Sequence, residues 1–157
     1  MTGTPPAWQL LPASADDFDA LAELRIAAMR ESLERVGRFD PQRARERLRA
    51  GFSPAHTRHI VAGGQRVGFV VVLPQPVSDD APAHWRLEHL YLHPDAQGRG
   101  LGAAVLRQVM AEADAAGLEL RLGALRDSDA NRFYLRHGFA LIGRSEFDNH
   151  YRRLAPR

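Results

Sequence analysis

The sequence predicts an α/β fold in one domain, with a mixed central sheet of about seven strands and about four helices on both faces. The chain has 157 residues, which is enough for one substantial core. The spacing of its apolar residues predicts strands and helices in the order β-α-α-β-β-β-α-β-α-β-β. A Gly-Gly pair separates two apolar runs in TRHIVAGGQRVGFVVVL, which is typical of a hairpin. We expect the domain to span residues 1–157, with residues 1–6 frayed.

The first half of the chain predicts one strand, two helices and then the hairpin. WQLL at residues 8–11 is typical of a short strand. Ser14 precedes an amphipathic pattern with an acidic first turn, so we expect a helix over residues 15–36 that Gly37 ends. Asp40 and Pro41 begin a second, basic helix in DPQRARERLRAGF.

The second half predicts strands that alternate with two helices. After the irregular loop PQPVSDDAPAH come the strand WRLEHLYL and a helix that runs to about Ala116. LELRLGAL predicts the next strand, and DSDANRFYLRHGF predicts a short helix capped by Asp127 or Ser128. FALIGRSEF and NHYRRLA predict two final strands, with a turn at Asp148 and Asn149.

Two residue types are missing from the sequence, and their absence excludes several chemistries. Without cysteine there is no disulfide, thiolate metal ligand or acyl-cysteine intermediate. Without lysine there is no Schiff base of the pyridoxal phosphate kind. Four histidines lie close in sequence, but their spacing is not that of metal ligands, and we therefore expect no metal site: His56, His59, His84 and His89.

Neither a nucleic acid nor a membrane is indicated as partner by the charges and the apolar runs of the sequence. All 21 basic residues are arginines, yet no basic platform interleaved with aromatic residues accompanies them. No apolar run is long enough for a bilayer, and the N-terminal residues do not resemble a signal peptide. We expect a cytoplasmic protein.

The stretch HPDAQGRGLGAAVLRQVM, residues 93–110, is the most informative part of the sequence. A strand leads through three glycines into a helix, and the first amides of a helix have no intrahelical partner. Gly98, Gly100 and Gly102 remove the side chains that would keep a phosphate away from these amides, and Arg99 adds a charge. The alternative interpretation is a turn whose glycines only allow close packing of helix and sheet. The spacing fits neither the dinucleotide fingerprint nor the lysine-containing phosphate loop.

The segment LYLHPDAQGRGLGAAVL resembles the acetyl-CoA signature of the GNAT superfamily of N-acetyltransferases, with Gln97, Gly100 and Gly102 in place. NRFYLRHGF, residues 131–139, is similar to the second signature of that family. The resemblance implies a mostly antiparallel sheet with splayed central strands, and acetyl-CoA as the cosubstrate. It also implies the residues that bind the cofactor: Leu90, Tyr91, Leu92 and His93 for the pantetheine arm, and Gln97, Gly98, Arg99, Gly100, Leu101, Gly102, Ala103 and Ala104 for the pyrophosphate. Where many members carry an asparagine before the tyrosine, this chain has Asp127. Either Asn131 takes over that contact and Asp127 serves only as a helix cap, or Asp127 makes the contact.

The resemblance places a general acid at Tyr134, which would protonate the departing thiolate. The alternative is that Tyr134 only packs between helix and sheet, although Phe133 is expected to supply that core-facing ring. Glu88 shares a strand face with Leu90 and Leu92, which makes it the candidate base. The alternatives are an arginine-paired Glu88 and one of three histidines as base: His84, His89 and His93.

The resemblance implies an acceptor pocket built from the first two helices, the loop before the strand WRLEHLYL and the final hairpin. The charged residues in these segments favour a small amine or an amino-acid-like acceptor. Arginines of the second helix would hold a carboxylate, and acidic residues of the loop and the final hairpin would hold an amine. Solvated charged surfaces are the alternative explanation. A non-catalytic acyl-CoA-binding module and a protein or peptide N-acetyltransferase are the alternative functions. The resemblance further predicts a homodimer through the last strands.

Overall fold

The computed structural model describes residues 7–35 and 37–156, and these residues form the predicted mixed sheet of seven strands together with four α-helices. The fold class predicted from the sequence is therefore confirmed. The predicted fraying of residues 1–6 lies outside the described residues.

The strands are β1 (Trp8–Pro12), β2 (Thr57–Ala62), β3 (Gln65–Gln75), β4 (His84–Leu92), β5 (Glu119–Leu125), β6 (Ala140–Arg144) and β7 (Asp148–Arg153). The helices are α1 (Phe18–Arg35), α2 (Pro41–Ala50), α3 (Leu101–Ala116) and α4 (Ala130–Arg136). The strand order in the sheet is β1-β2-β3-β4-β5-β7-β6. β4 and β5 are parallel, whereas β1–β2, β2–β3, β5–β7 and β6–β7 are antiparallel.

The chain divides into two compact units that share β3, β4 and α3. The first unit is the chain up to Val71 together with His89–Leu106, and the second is Val72–Glu88 together with the chain from Arg107 onward. The single domain predicted for residues 1–157 stays a prediction.

The first unit contains α1 and α2, the hairpin and the beginning of α3. Gly63 and Gly64 form the predicted hairpin turn with φ angles of 58° and 77°, a conformation that glycine adopts without strain. The buried side chains of α1 follow the helical spacing i, i+3, i+4, i+7, and they are Phe18, Leu21, Ala22 and Arg25. An arginine therefore occupies the last position of the buried face.

An ion cluster in the same unit connects the start of α1 to the hairpin strands. Nε2 of the buried His59 lies 2.9 Å from Oδ2 of Asp17, and Nη1 of Arg66 donates to Oδ1 of Asp17 across 3.1 Å. The main-chain amide of Ser14 also donates to this carboxylate. The hydrogen bond with His59 and then that with Ser14 hold the pKa of Asp17 well below its usual range.

The second unit contains β5, α4, the two last strands and most of α3. Its buried apolar residues are Leu87, Val109, Ala113, Leu120, Leu122, Ala124, Tyr134, Phe139 and Tyr151. Arg153 and Asp114 form a two-bond ion pair, with 2.7 Å from Nη1 to Oδ1. This pair joins β7 to the end of α3.

Three predicted boundaries are wrong. α1 begins at Phe18 because residues 15–17 form a 3-10 turn, in which the Asp17 side chain reaches back to Ser14. The cap position of α4 is Asp129, since Ser128 instead donates its hydroxyl to the Leu125 carbonyl. The last hairpin turns at residues 145–147, where the amide of Ser145 bonds to the carbonyl of Asp148, so β7 already begins at Asp148.

Candidate functional site

The parallel ladder between β4 and β5 ends before β4 does. The register pairs run from His84 with Glu119 to Leu87 with Leu122, and none of the described pairs includes residues 88–92. Backbone groups that leave a ladder need other hydrogen-bond partners. The last five residues of β4 can therefore accept an extended ligand as an added strand.

The opposite edge of this segment is held tightly by β3. The amide of His93 donates to the carbonyl of Val67 across 2.7 Å. A Cβ atom on Gly68 would overlap the main-chain carbonyl of Tyr91, so glycine is required there. Since hydrogen-bonding direction alternates along a strand, the backbone groups of Leu90 and Leu92 face away from β3.

The loop after β4 contains two glycines in the left-handed region. Gly98 and Gly100 have φ angles of 78° and 79°. A Cβ at either position would meet no atom within 4 Å, so close packing of helix and sheet does not explain these two residues. Their positive φ angles and the open space beside them fit a backbone that a ligand approaches.

The glycine loop leads directly into the beginning of α3. This helix begins at Leu101, and the amide of Ala104 already donates to the carbonyl of Gly100 across 3.1 Å. The N-terminal amides without a helical partner are therefore those of Leu101, Gly102 and Ala103. They provide hydrogen-bond donors and the positive end of the helix dipole.

Side chains around the loop fix its course. Nε2 of Gln97 donates to the carbonyl of Leu92 across 3.0 Å, and the amide of Asp95 donates to Nδ1 of His93 across 3.1 Å. A cleft of about 500 Å³ lies between this loop and the β2–β3 hairpin, and Arg66 and Arg99 are its arginines. An anion in this region would meet both amides and guanidinium groups.

Tyr134 is the buried residue of α4, whereas the neighbouring Phe133 is only half-buried. The expectation that Phe133 supplies the core-facing ring is therefore wrong. The Tyr134 ring lies edge-on to Phe133 and Phe139, with centroid distances of 5.2 and 5.7 Å. The ring of Tyr134 therefore packs in the core of its unit.

Glu88 is the residue at which β4 leaves the ladder, and its carboxylate is paired. Nε of Arg86 donates to Oε2 of Glu88 across 2.8 Å, and the Glu88 side chain keeps 35% of its surface exposed. The arginine-paired alternative for Glu88 is thus present. His89 points to the other face, where its ring lies 6.1 Å from that of Phe69 and 5.5 Å from that of Tyr91.

The side chain of Asn131 joins α4 to β7. Its Nδ2 donates to the carbonyls of Leu125 and Ser128, each across 2.9 Å. Its Oδ1 accepts from Nδ2 of Asn149 at 2.9 Å and from the Tyr151 hydroxyl at 2.7 Å. The amide of Asn131 is therefore already occupied by the fold of its own unit.

Sequence reasoning missed two residues of this region, Gly68 and Arg25. Nothing in the sequence shows that the Tyr91 carbonyl approaches residue 68, because the register of a strand pair is a property of the folded sheet. Arg25 had a signal in the sequence, since it falls seven residues after Phe18 on the helical repeat of apolar residues.

Two classes of site are not found in the described part of the chain. Residues 7–35 and 37–156 contain no group of three or more histidine or carboxylate side chains arranged to hold a metal. None of the helices in these ranges is both long and apolar enough to span a bilayer.

Solved structures with the same fold include several acetyltransferases. The N-acetyltransferase PaiA from Thermoplasma acidophilum, solved in complex with coenzyme A, is 16% identical with a TM-score of 0.74, and the alignment covers 94% of this chain and 99% of that one. An acetyltransferase from Thermus thermophilus is 18% identical with a TM-score of 0.73 and coverages of 98% and 99%. A GNAT-family acetyltransferase from Listeria monocytogenes is 16% identical with a TM-score of 0.63 and coverages of 98% and 98%. At these identities the likeness establishes the fold.

No curated protein matches the sequence significantly. The family model described as the acetyltransferase (GNAT) domain matches residues 55–141, more than half of the chain. This match spans the hairpin, β4, the glycine loop, α3 and α4. The chain therefore belongs to the GNAT family of acetyltransferases.

Proposed function

We propose that this acetyltransferase moves the acetyl group of acetyl-CoA directly to a primary amine of a small molecule. The observation that carries the proposal is the glycine loop, where Gly98 and Gly100 adopt positive φ angles beside open space and lead into the free amides of α3. A diphosphate needs this combination of donors, positive dipole and close backbone approach. No metal enters the proposal.

Residues 97–104 bind the pyrophosphate. The amides of Leu101, Gly102 and Ala103 donate to its oxygens, because Ala104 is already bonded to Gly100. Arg99 adds a charge-assisted bond from the exposed side of the loop. Gln97 shapes the loop through its bond to Leu92.

Residues 90–93 bind the pantetheine arm as an added strand. The amide of His93 is committed to Val67, and the carbonyl of Leu92 is committed to Gln97. The groups of Leu90 and the amide of Leu92 are left for the arm, and one of these two amides acts as the donor that polarises the thioester carbonyl.

The transfer forms a bond between the acceptor nitrogen and the acetyl carbon and breaks the bond from that carbon to sulfur. The acceptor must lose a proton and the leaving sulfur must gain one. In our proposal Glu88 accepts the proton of the amine, directly or through water, and the Tyr134 hydroxyl donates a proton to the sulfur. Arg86 holds the Glu88 carboxylate in one orientation.

We also propose a cytoplasmic homodimer. β6 lies at the end of the sheet, and all five of its residues are exposed. Leu141 and Ile142 on this strand expose 43% and 42% of their surfaces. An edge strand with two adjacent exposed apolar residues favours pairing with a second chain.

A binding and turnover screen tests the function. Acetyl-CoA should raise the melting temperature of the purified protein by mass action, and thiol release should become amine-dependent with an acceptor from a panel of small amines. Binding without thiol release for any amine or peptide would identify a non-catalytic acyl-CoA-binding module instead. Thiol release with peptide N-termini, and none with small amines, would show that the acceptor is a peptide and not a small molecule.

A further inference from the structure

An arginine row crosses three neighbouring strands of the second unit and consists of Arg86, Arg121 and Arg152. Arg86 on β4 is the register partner of Arg121 on β5, and Arg121 is the register partner of Arg152 on β7. Register partners place their side chains on the same face of a sheet. Like charges that lie directly opposite each other destabilise a sheet. By itself the fold therefore gains nothing from this row.

The arginine row keeps hydrogen-bond donors that the fold does not use. Nε of Arg86 donates to Glu88, and Nε of Arg121 donates to Oε2 of Glu119 across 2.7 Å. Both bonds leave the two Nη groups of each guanidinium, and these have no partner in residues 7–35 and 37–156. Arg152 forms no ion pair within the same ranges. The row therefore presents positive charge and unused N–H groups on one face of the sheet.

Gly123 leaves a gap beside the arginine row. It follows Arg121 by two residues on β5, and its register partner on β7 is His150. A Cβ on Gly123 would have Nη2 of Arg86 and Nδ1 of His150 as its nearest atoms, each at 3.5 Å. Both atoms are ends of flexible side chains. A glycine inside a strand weakens it and often marks a place that a ligand approaches closely.

This face of the second unit is open to solvent. The side chains of Arg86 and Glu88 keep 36% and 35% of their surfaces exposed, and Gly123 and His150 are half-buried. The opposite face is closed by a row of buried register partners, which are Leu87, Leu122 and Tyr151. A ligand can therefore reach the space above Gly123 from the solvent side.

Two unused hydrogen-bond acceptors accompany this gap. The Ser145 hydroxyl donates to the carbonyl of Asp148, so it accepts from Nε2 of His150 3.0 Å away. Nδ1 of His150 is therefore an acceptor, and it is accessible to water and has no partner in the described residues. Oε1 of Glu88 likewise has no partner there, because Arg86 binds Oε2. Glu88 lies on the face of the arginine row, two residues after Arg86.

We propose that the acceptor is an amine that also carries a carboxylate, and that it binds above Gly123. Its amine lies between Glu88 and Nδ1 of His150, and its carboxylate binds the Nη groups of the arginine row, which match two carboxylate oxygens. The inference rests on the proposed function, in which Glu88 accepts the proton of the amine. It adds His150 and the arginine row as the groups that select the acceptor. All of these residues lie in the second unit.

Gly123→Ala tests the place of binding. The fold accommodates the added methyl group because its nearest neighbours are side-chain ends 3.5 Å away, and alanine is less costly than glycine inside a strand. The melting temperature and the dissociation constant of acetyl-CoA should therefore not worsen. The KM of the acceptor should rise about tenfold, since the methyl group takes up space that the acceptor needs. Gly143→Ala is the matched control and should keep the wild-type KM, because a Cβ there meets no atom within 4 Å.

Matched acceptors test the carboxylate. The value of kcat/KM is measured for α- and ω-amino acids and for their carboxamides, in which the carboxylate alone is replaced. Wild type should favour the acid of an accepted pair about tenfold or more, as expected for hydrogen bonds between charged groups. Arg152→Gln should lower this acid-to-amide ratio about threefold or more. The control Arg107→Gln should keep the ratio, since Arg107 is exposed on α3 and also forms no ion pair in the described ranges.

His150→Phe tests the contact with the amine. It removes the Nδ1 acceptor and leaves the arginine row in place, so kcat/KM should fall for acid and carboxamide alike. The acid-to-amide ratio should stay close to that of wild type, in contrast to Arg152→Gln. A loss of folding would show as a lower melting temperature, which is measured for each variant.

The outcomes separate this inference from the proposed function. Transfer to small amines with equal kcat/KM for acid and carboxamide overturns the inference, while the proposed function stands. A wild-type acceptor KM in a folded Gly123→Ala protein, or a wild-type ratio in a folded Arg152→Gln protein, also overturns it. Absence of acetyl transfer to every small amine, with or without binding of coenzyme A, overturns the proposed function and this inference with it.

Discussion

The main-chain carbonyl of Tyr91 occupies the space in which a side chain of residue 68 would begin, so β3 and β4 are in close contact at Gly68. The side chain of Leu92 and that of Ile60 border the same space. This contact fixes one edge of the strand segment to which we assign the thioester arm. A single methyl group at residue 68 would push that segment away from β3.

We predict that Gly68→Ala lowers the free energy of unfolding by about 1–3 kcal/mol, the usual effect of overpacking. Coenzyme A affinity should fall with it, because Leu90 and Leu92 move together with Tyr91. Urea unfolding and calorimetric titration measure the two effects. Gly143→Ala is the matched control, since a Cβ there meets no atom within 4 Å. Equal midpoints for the two variants would contradict the tight contact.

Tyr134→Phe keeps the ring between Phe133 and Phe139 and removes only the hydroxyl. If that hydroxyl protonates the leaving sulfur, single-turnover acetyl transfer should slow about tenfold or more. The dissociation constant of coenzyme A should stay nearly unchanged, which separates chemistry from binding. Unchanged turnover would remove Tyr134 from the mechanism.

Glu88→Gln should remove the acidic limb of the pH–kcat/KM profile, because Glu88 must be ionised to accept the proton of the amine. Arg86→Gln removes the partner that orients the same carboxylate from 2.8 Å away, so it should lower kcat/KM without abolishing the limb. The measurement is the pH profile of both variants beside wild type. Survival of the wild-type acidic limb in Glu88→Gln would leave one of the histidines as the base.

The free energy of unfolding should depend on pH through Asp17. Because its pKa is held low in the folded chain, chiefly by His59, its ionised form stabilises the fold at pH values above the ordinary carboxyl value of 3.8. That stabilisation is lost as the pH falls below this value. Asp17→Asn should therefore lower the urea midpoint at pH 7, and the difference from wild type should shrink towards pH 3. A difference in urea midpoint that stays constant with pH would contradict a stabilising role of the ionised Asp17.

Ile142→Arg places a charge on the exposed edge strand β6. If two chains associate through this edge, the wild-type protein should elute as a dimer and the variant as a monomer in size-exclusion chromatography with light scattering. Because Ile142 is exposed, the substitution should change the stability of the folded monomer only a little. A monomeric wild-type protein, or a variant that stays dimeric, would contradict association through β6.

The sheet and the glycine loop could be predicted because their signals are local. Gly63 and Gly64 mark a turn through the φ angles that only glycine adopts easily, and Gly98 and Gly100 do the same before a helix. The last hairpin was placed wrongly because Asp148 and Asn149 have turn-forming side chains, yet pairing with β5 keeps both residues in β7. Tertiary pairing decided against local preference there.

The parts that escaped prediction depend on contacts between distant segments. Which of Phe133 and Tyr134 faces the core depends on how α4 is rotated, and two adjacent aromatic residues do not specify this. The hydrogen bonds of Asn131 reach partners on β7 that lie 18 and 20 residues away in sequence, and no local pattern indicates them. The burial of Arg25 has a signal in the helical repeat of α1, but its contacts with Ala44 and Tyr91 do not.

The backbone of residues 98–103 should bind a diphosphate, and calorimetric titrations can measure this binding. Coenzyme A, dephospho-coenzyme A and pantetheine are titrated separately into the wild-type protein. We expect both diphosphate-containing ligands to bind with similar affinity and about 100-fold or more tighter than pantetheine, through several charge-assisted bonds. Equal affinity for pantetheine and coenzyme A, or no binding of coenzyme A, would contradict it.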